Sequence, residues 1–98
     1  MTINKIENGS ELTMVLCGRL DTTSAPQTEA ELKKSIAGVS SLIMDFAELE
    51  YISSAGLRVL LSAQKVMNKQ GNMVIRNANE SILEVFEITG FADILTIE

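Results

Sequence analysis

The seven residues YISSAGL, Tyr51 to Leu57, join a strand-like run to a leucine-rich helical pattern. Apolar side chains recur at helical spacing through residues 54–70, and polar side chains collect on the opposite face of the same segment. The two hydroxyls at the junction, Ser53 and Ser54, have two open roles. A serine there can cap the helix by accepting a hydrogen bond from a first-turn N–H, or it can be exposed where a partner modifies it.

Strand-like and helix-like segments alternate on both sides of this junction. Ser41–Phe46 is a compact apolar run, typical of a central strand covered on both faces. The other predicted elements are strands 2–7 and 11–20 joined by an Asn-Gly turn, a helix from the hydroxyl caps and proline of residues 22–26 to Ala37, strand 73–75, helix 79–89 and strand 94–97. The predicted order is therefore ββαβαβαβ.

This order predicts an α/β fold with a mixed sheet and helices packed against it. Strand–helix–strand units favour parallel, right-handed crossovers, so that only the first hairpin is antiparallel. The strand before Ser53 is expected at the centre of the sheet because its run is the most continuously apolar. Partner and ligand sites gather at the carboxyl ends of such strands. A chain of 98 residues suits one domain, here residues 1–98.

Composition and charge narrow the function classes. The chain is 46% hydrophobic and 21% charged, as in ordinary globular proteins. No apolar run approaches the roughly 18 residues that span a bilayer, and the N-terminus lacks a signal-peptide layout, so a cytoplasmic location is expected. A net charge of −5 disfavours nucleic acid and anionic membranes. A protein partner or a small ligand remains.

The chain lacks the usual catalytic equipment. It has no histidine and a single cysteine, Cys17, so imidazole acid–base chemistry and ordinary zinc sites are excluded. Ser54 has only carboxylates such as Asp21 as candidate bases, and carboxylates are weak bases at neutral pH. Asp45, Glu48 and Glu50 form a small acidic cluster, in which Glu48 and Glu50 are expected at a solvated loop edge rather than at a cation site. We expect no catalytic residue, no metal and no cofactor.

Two motifs resemble the signature of the STAS domain, in particular the bacterial anti-sigma factor antagonists. They are Gly18-Arg19-Leu20-Asp21 and the stretch from Leu42–Phe46 through Ile52–Leu61. The element order and the length also fit, so the resemblance covers essentially the whole chain as a STAS-like single domain. Family members carry Asp-Ser-Ser/Thr-Gly-Leu at the start of the helix, and a partner kinase phosphorylates the serine that follows the aspartate.

Alignment on Gly56-Leu57 puts Ser54 at the phosphorylated serine. Ser53 then stands in place of the aspartate and is a rival acceptor, and Ala55 replaces the following hydroxyl. The resemblance implies supporting roles near the phosphorylation site for Asp21, Thr22 and Gly56. It also implies a partner-contact surface of Ser53, Ser54, Ala55, Arg58, Val59 and Ser62. Val59 can equally be the flank of the core face of the helix.

The implied function is a partner switch in the regulation of transcription. The unphosphorylated protein binds an anti-sigma factor, which is also a serine kinase, and so frees a sigma factor. Phosphorylation at Ser54 breaks the complex, a serine phosphatase resets it, and the free protein is a monomer. Two alternatives stay open: a STAS-type cytoplasmic subunit of a lipid or anion transport system, and a nucleotide-binding module that depends on Asp21.

Overall fold

The computed structural model describes the whole chain, Met1–Glu98. In chain order its elements are β1 Thr2–Asn8, β2 Glu11–Leu20, α1 Ala25–Ser35, β3 Ser41–Ile52, α2 Ser54–Gln70, β4 Asn72–Arg76 and α3 Glu80–Thr89. The strands form one sheet in the order β1-β2-β3-β4, antiparallel between β1 and β2 and parallel elsewhere. The predicted α/β class and mixed sheet are confirmed, with β3 inside the sheet between β2 and β4.

β3 is longer than predicted, because it continues past Phe46 to Ile52. Its buried residues first alternate and then advance by three, at Leu42, Met44, Phe46, Leu49 and Ile52. The register with β2 shifts at two places, where β3 holds an extra residue. Such bulges keep apolar side chains pointing inward while the simple alternation of a strand is lost. Apolar and polar residues therefore cease to alternate in the sequence after Phe46, although the strand continues to Ile52.

Helices cover only one face of the sheet, so the prediction that β3 is covered on both faces is wrong. The core is a single cluster of 22 buried residues. Ile43 is only 8% exposed and yet lies outside this cluster. Its neighbours at the same register are Thr13 on β2 and Val74 on β4. Adjacent strands shield this side chain, which is why the run looked continuously apolar.

The predicted last strand, residues 94–97, is also wrong. A short 3₁₀ turn at Phe91–Asp93 follows α3, and the N–H groups of Ile94 and Leu95 donate to the carbonyl oxygen of Phe91 at 3.0 and 2.9 Å. These hydrogen bonds hold the chain away from the sheet. Residues 96–98 return to the edge of the sheet through an isolated parallel bridge between Ile97 and Ile75. In this bridge Ile75 N donates to the carbonyl oxygen of Thr96 and Glu98 N donates to the carbonyl oxygen of Ile75, both at 2.9 Å. The observed order is ββαβαβα followed by this single bridge.

The two longest helices differ in how well their ends follow the sequence pattern. α1 ends at Ser35, two residues before the predicted Ala37, while α2 has the predicted bounds and stops at Gly71. The amide of Gly71 donates to the carbonyl oxygen of Met67 at 2.7 Å, which completes the last turn of α2. None of the helices combines the length and the hydrophobicity needed to cross a membrane.

Candidate functional site

The start of α2 is fixed against the carboxyl end of β2. The amide of Ser53 donates to the carbonyl oxygen of Leu20 at 2.9 Å. Gly56 permits this close approach, because a Cβ at that position would lie 2.8 Å from both Leu20 Cγ and Ile52 Cγ1. Gly56 is buried and therefore supports the site by packing rather than by contact with a partner. The two motifs of the sequence meet at this point.

The two serines of the junction have different environments. Ser53 is the N-cap of α2, with extended backbone angles, and its Oγ accepts a hydrogen bond from Gly56 N at 3.4 Å. Ser54 is the first residue of the helix, and it is exposed. No acidic residue lies in the first turn of α2. Capping therefore belongs to Ser53, and the hydroxyl of Ser54 projects free of the helix.

A capping role for Ser53 predicts a measurable loss of stability on truncation. We expect Ser53→Ala to lower the free energy of unfolding by about 1 kcal/mol, the usual value of an N-cap hydroxyl, and Ser53→Asp to retain the cap. Urea unfolding of both variants measures this difference. Ser54→Ala is the matched control, with an expected change close to zero. A larger loss for Ser54→Ala than for Ser53→Ala would reverse the assignment of the cap.

Asp21 organises the loop between β2 and α1. Its Oδ1 accepts hydrogen bonds from the amides of Thr23 at 3.0 Å and Ser24 at 3.1 Å. The amide of Ser24, together with Thr23 and the nearby Arg19 charge, holds the pKa of the Asp21 carboxyl below its usual value. The hydroxyl of Ser24 donates to the Arg19 carbonyl oxygen at 2.6 Å and does not cap α1, contrary to the sequence prediction.

This depressed pKa makes the contribution of Asp21 dependent on pH. A carboxyl whose pKa is lower in the folded state stabilises the protein above its unfolded-state pKa, and this stabilisation is lost as the pH falls through the folded-state pKa. We expect Asp21→Asn to have a lower urea midpoint than the parent at pH 7, and the two midpoints to converge below about pH 4. Asp93→Asn, at an exposed carboxylate without hydrogen bonds, serves as control. A difference between the two midpoints that does not shrink as the pH falls below about 4 would contradict this role.

A surface cavity of about 370 Å³ lies between the start of α1 and the first turns of α2. Its lining brings together several residues of the predicted site: Thr22, Ala55, Arg58, Val59 and Ser62. Val59, however, is only 4% exposed and belongs to the hydrophobic core. This burial favours its alternative role as flank of the core face, while a partner contact at Val59 stays a prediction. Asp21 lines a different depression, with Arg19 and Glu50.

Sequence reasoning missed one pair beside this site. The guanidinium of Arg19 lies 4.3 Å from the ring centroid of Tyr51, and its Nε is 3.8 Å from Asp21 Oδ2. The two residues are register partners near the carboxyl ends of β2 and β3. Tyr51 is 41% exposed, so the contact holds an aromatic ring at the surface. The pairing depends on the bulges of β3, which no local pattern in the sequence reveals.

The acidic residues near the junction do not form a metal centre. No group of three or more aspartate, glutamate, cysteine or histidine side chains is placed to hold an ion. Asp45 Oδ1 accepts hydrogen bonds from Ala47 N at 2.9 Å and Asn77 Nδ2 at 3.0 Å. Glu48 accepts one from the thiol of Cys17 at 3.2 Å, and this carboxylate raises the pKa of the thiol. Cys17 is half-buried on the open face of the sheet rather than in the core.

The Gly18–Asp21 motif at the end of β2 thus lies against the serine pair at the junction of β3 and α2. The same pair of motifs is found in a known protein family. The model that describes the STAS domain matches residues 2–98. The chain belongs to the STAS domain family. It is 38% identical over 99 residues to BtrV of Bordetella bronchiseptica, a protein named as an anti-sigma factor antagonist, and the match covers 99% of this chain and 84% of BtrV.

A second relative of this STAS domain is the anti-sigma-B factor antagonist of Bacillus subtilis. The two are 28% identical over 92 residues, which covers 93% of this chain and 84% of the relative. Among solved structures, the anti-sigma factor antagonist SpoIIAA is similar in its unphosphorylated form, with a TM-score of 0.78, and in its phosphorylated form, with a TM-score of 0.77. Both matches are 19% identical and cover 99% of this chain, with 87% and 91% of the respective SpoIIAA chains.

Proposed function

We propose that this STAS domain is a cytoplasmic anti-sigma factor antagonist controlled by phosphorylation of Ser54. The unphosphorylated protein binds an anti-sigma factor that is also a serine kinase, and the sigma factor held by that kinase is released. The observation that carries this proposal is the exposed hydroxyl of Ser54 at the first position of α2, beside Ser53, which caps the helix. The names of the two relatives as anti-sigma factor antagonists support the choice of partner.

The kinase supplies the chemistry of the switch, and this chain supplies the acceptor. The Oγ of Ser54 attacks the γ-phosphorus of ATP bound to the kinase, and the bond from that phosphorus to the β–γ bridging oxygen breaks. ADP leaves, and the hydroxyl proton passes to a base of the kinase. A serine phosphatase reverses the modification by hydrolysis, in which water restores the hydroxyl and releases inorganic phosphate.

The proposed contact surface is the outer face of the first turns of α2. Ser54, Arg58 and Ser62 are exposed and follow one another at four-residue spacing, which places them along one side of the helix. Ser53 and Ala55 are half-buried at the start of the same face. A partner that covers this strip necessarily covers the Ser54 hydroxyl, so that a phosphate added there lies within the interface.

The switch is proposed to act at the interface rather than by refolding of the domain. A phosphate on Ser54 lies near first-turn N–H groups that have no helical acceptor, and the positive end of a helix favours an anion. The fold therefore tolerates the modification. The two forms of SpoIIAA have nearly the same similarity to this chain, which supports a change that leaves the fold in place.

The test is incubation of the purified protein with candidate anti-sigma factor kinases and ATP, followed by mass spectrometry of the peptide spanning residues 35–65. We expect one phosphate on Ser54. Ser54→Ala is expected to bind the kinase and remain unmodified, while Ser53→Ala is still phosphorylated. Absence of phosphate on both serines, or co-purification with an ATPase subunit of a transporter in place of a kinase, would contradict the proposal. The nucleotide-binding alternative requires saturable nucleotide binding that is lost in Asp21→Asn.

A further inference from the structure

The cationic side chains of this protein are unevenly paired. Of eight basic residues, five form ion pairs with carboxylates: Lys5, Arg19, Lys33, Lys34 and Arg76. The three that form none are Arg58, Lys65 and Lys69, and all of them lie on α2. α2 contains no acidic residue, although the whole chain has a net charge of −5. One helix thus holds all the unneutralised cations.

Arg58 is the unpaired cation next to the proposed switch. It follows Ser54 by four residues on α2, and side chains at this spacing are neighbours, with Cβ atoms about 5–6 Å apart. Both side chains are exposed. Glu29 lines the same cavity as Arg58, but its carboxylate lies 3.8 Å from the ammonium of Lys33. No carboxylate of the fold therefore competes closely for the Arg58 guanidinium.

The rival acceptor has no such neighbour. The residue four positions after Ser53 is Leu57, which is 5% exposed and packs in the core, and the residue three positions after it is Gly56. A phosphate on Ser53 would stand at the N-cap, where its oxygens can accept the hydrogen bond that Gly56 N–H now donates to the hydroxyl. The start of the helix favours an anion on either serine, but only Ser54 has a cationic side chain one turn farther along.

We propose that Arg58 is the built-in counter-ion of phosphorylated Ser54. The guanidinium donates charge-assisted hydrogen bonds to the phosphate oxygens, a geometry that suits its planar fork. This inference rests on the proposed function, in that Ser54 is taken as the modified residue. Phosphorylation then changes the contact surface twice, because it adds a dianion and also withdraws Arg58 from contact with the partner.

The direct test measures the pKa of the second ionisation of the phosphate, which phosphorus NMR monitors during a pH titration. Phosphoserine is installed at position 54 by genetic encoding in the parent, in Arg58→Gln and in Lys65→Gln. A nearby cation favours the dianion, so we expect the second pKa, ordinarily about 6, to be about 0.3–0.7 unit lower in the parent than in Arg58→Gln. Lys65→Gln removes the same charge farther along α2 and should match the parent. Arg58→Lys should recover part of the lowering.

Phosphoserine at position 53 is the second control. The second pKa of its phosphate should be the same in the protein with Arg58 and in Arg58→Gln. Equal values for the parent and Arg58→Gln with phosphoserine at position 54 would overturn the proposal. An equal rise of this pKa in Arg58→Gln and Lys65→Gln would also overturn it, because the effect would then come from the net charge of the helix and not from Arg58 in particular. Installation needs no kinase. A kinase that ignores Ser54 would therefore refute the proposed function while the titration still decides the pairing.

Discussion

Phosphoserine at position 54 is expected to weaken the proposed complex of this STAS domain with an anti-sigma factor kinase by about 100-fold, equivalent to roughly 2.7 kcal/mol. The expected cause is desolvation. The group adds about 1.5 to 2 negative charges, and an interface that covers it must remove its water without supplying matched donors. Within the free protein the helix start and Arg58 are proposed to stabilise the same group. The cost therefore falls on the complex and not on the fold.

Isothermal titration calorimetry of the kinase with encoded phosphoserine proteins measures this loss. Ser54→Ala is the matched control and should bind within a few-fold of the parent, since it removes a hydroxyl without adding charge. Circular dichroism of the phosphorylated protein should match that of the parent. An unchanged dissociation constant with phosphoserine at position 54 would refute the switch. A complex weakened equally by Ser54→Ala would show that the hydroxyl, and not its modification, controls binding.

Gly71→Ala is expected to cost about 3 kcal/mol or more of the free energy of unfolding. A Cβ at Gly71 would overlap the backbone carbonyl oxygen of Ser40 and lie 2.6 Å from the carbonyl carbon. That carbonyl accepts the hydrogen bond from Asn72 N at 3.0 Å, which ties the start of β4 to the start of β3. Backbone atoms cannot move aside as a flexible side chain can, so this overlap forces a shift of the sheet or of α2.

The matched control for this substitution is Gly38→Ala. Gly38 has a φ of 79°, and a Cβ there would meet no atom within 4 Å. Its cost is backbone strain alone, about 1 kcal/mol. Urea unfolding of the two variants separates overlap from strain. Equal losses would mean that the chain at residues 70–72 adjusts easily, which contradicts close packing of Gly71 against the backbone of Ser40. A fully unfolded Gly71→Ala protein would agree with the prediction.

Local sequence patterns were sufficient for the helix that carries the candidate site. The bounds of α2 followed from apolar spacing over about four turns, from the serine pair at its start and from Gly71 at its end. α3 was predicted at residues 79–89 with Gly90 as its stop, and the structure begins it at Glu80 with Asn79 as its cap. These signals are local because helix hydrogen bonds and caps join residues within one turn.

The features of the sheet were harder to predict from the sequence than those of the helices. The bulges of β3 hid half of the strand, and the shielding of Ile43 by neighbouring strands suggested a second covered face that does not exist. The last strand failed because residues 91–95 satisfy their backbone groups within a turn. Val59 was ambiguous for a similar reason, since the width of the buried face of a helix depends on the neighbour against which it packs.

The amino-acid sequence by itself determined the order of the elements from β1 to α3, the bounds of α2, the serine pair at its start and the absence of acidic residues along it. Only the tertiary structure decided which serine caps the helix, that the Asp21 carboxylate is held by its own loop, and that Arg19 meets Tyr51. It also showed that Arg58 is an unpaired cation beside Ser54. The physical reason is the separation along the chain of the residues that interact. Spacing and capping act within one turn of chain, whereas pairing between charges depends on how separate strands and helices come into register.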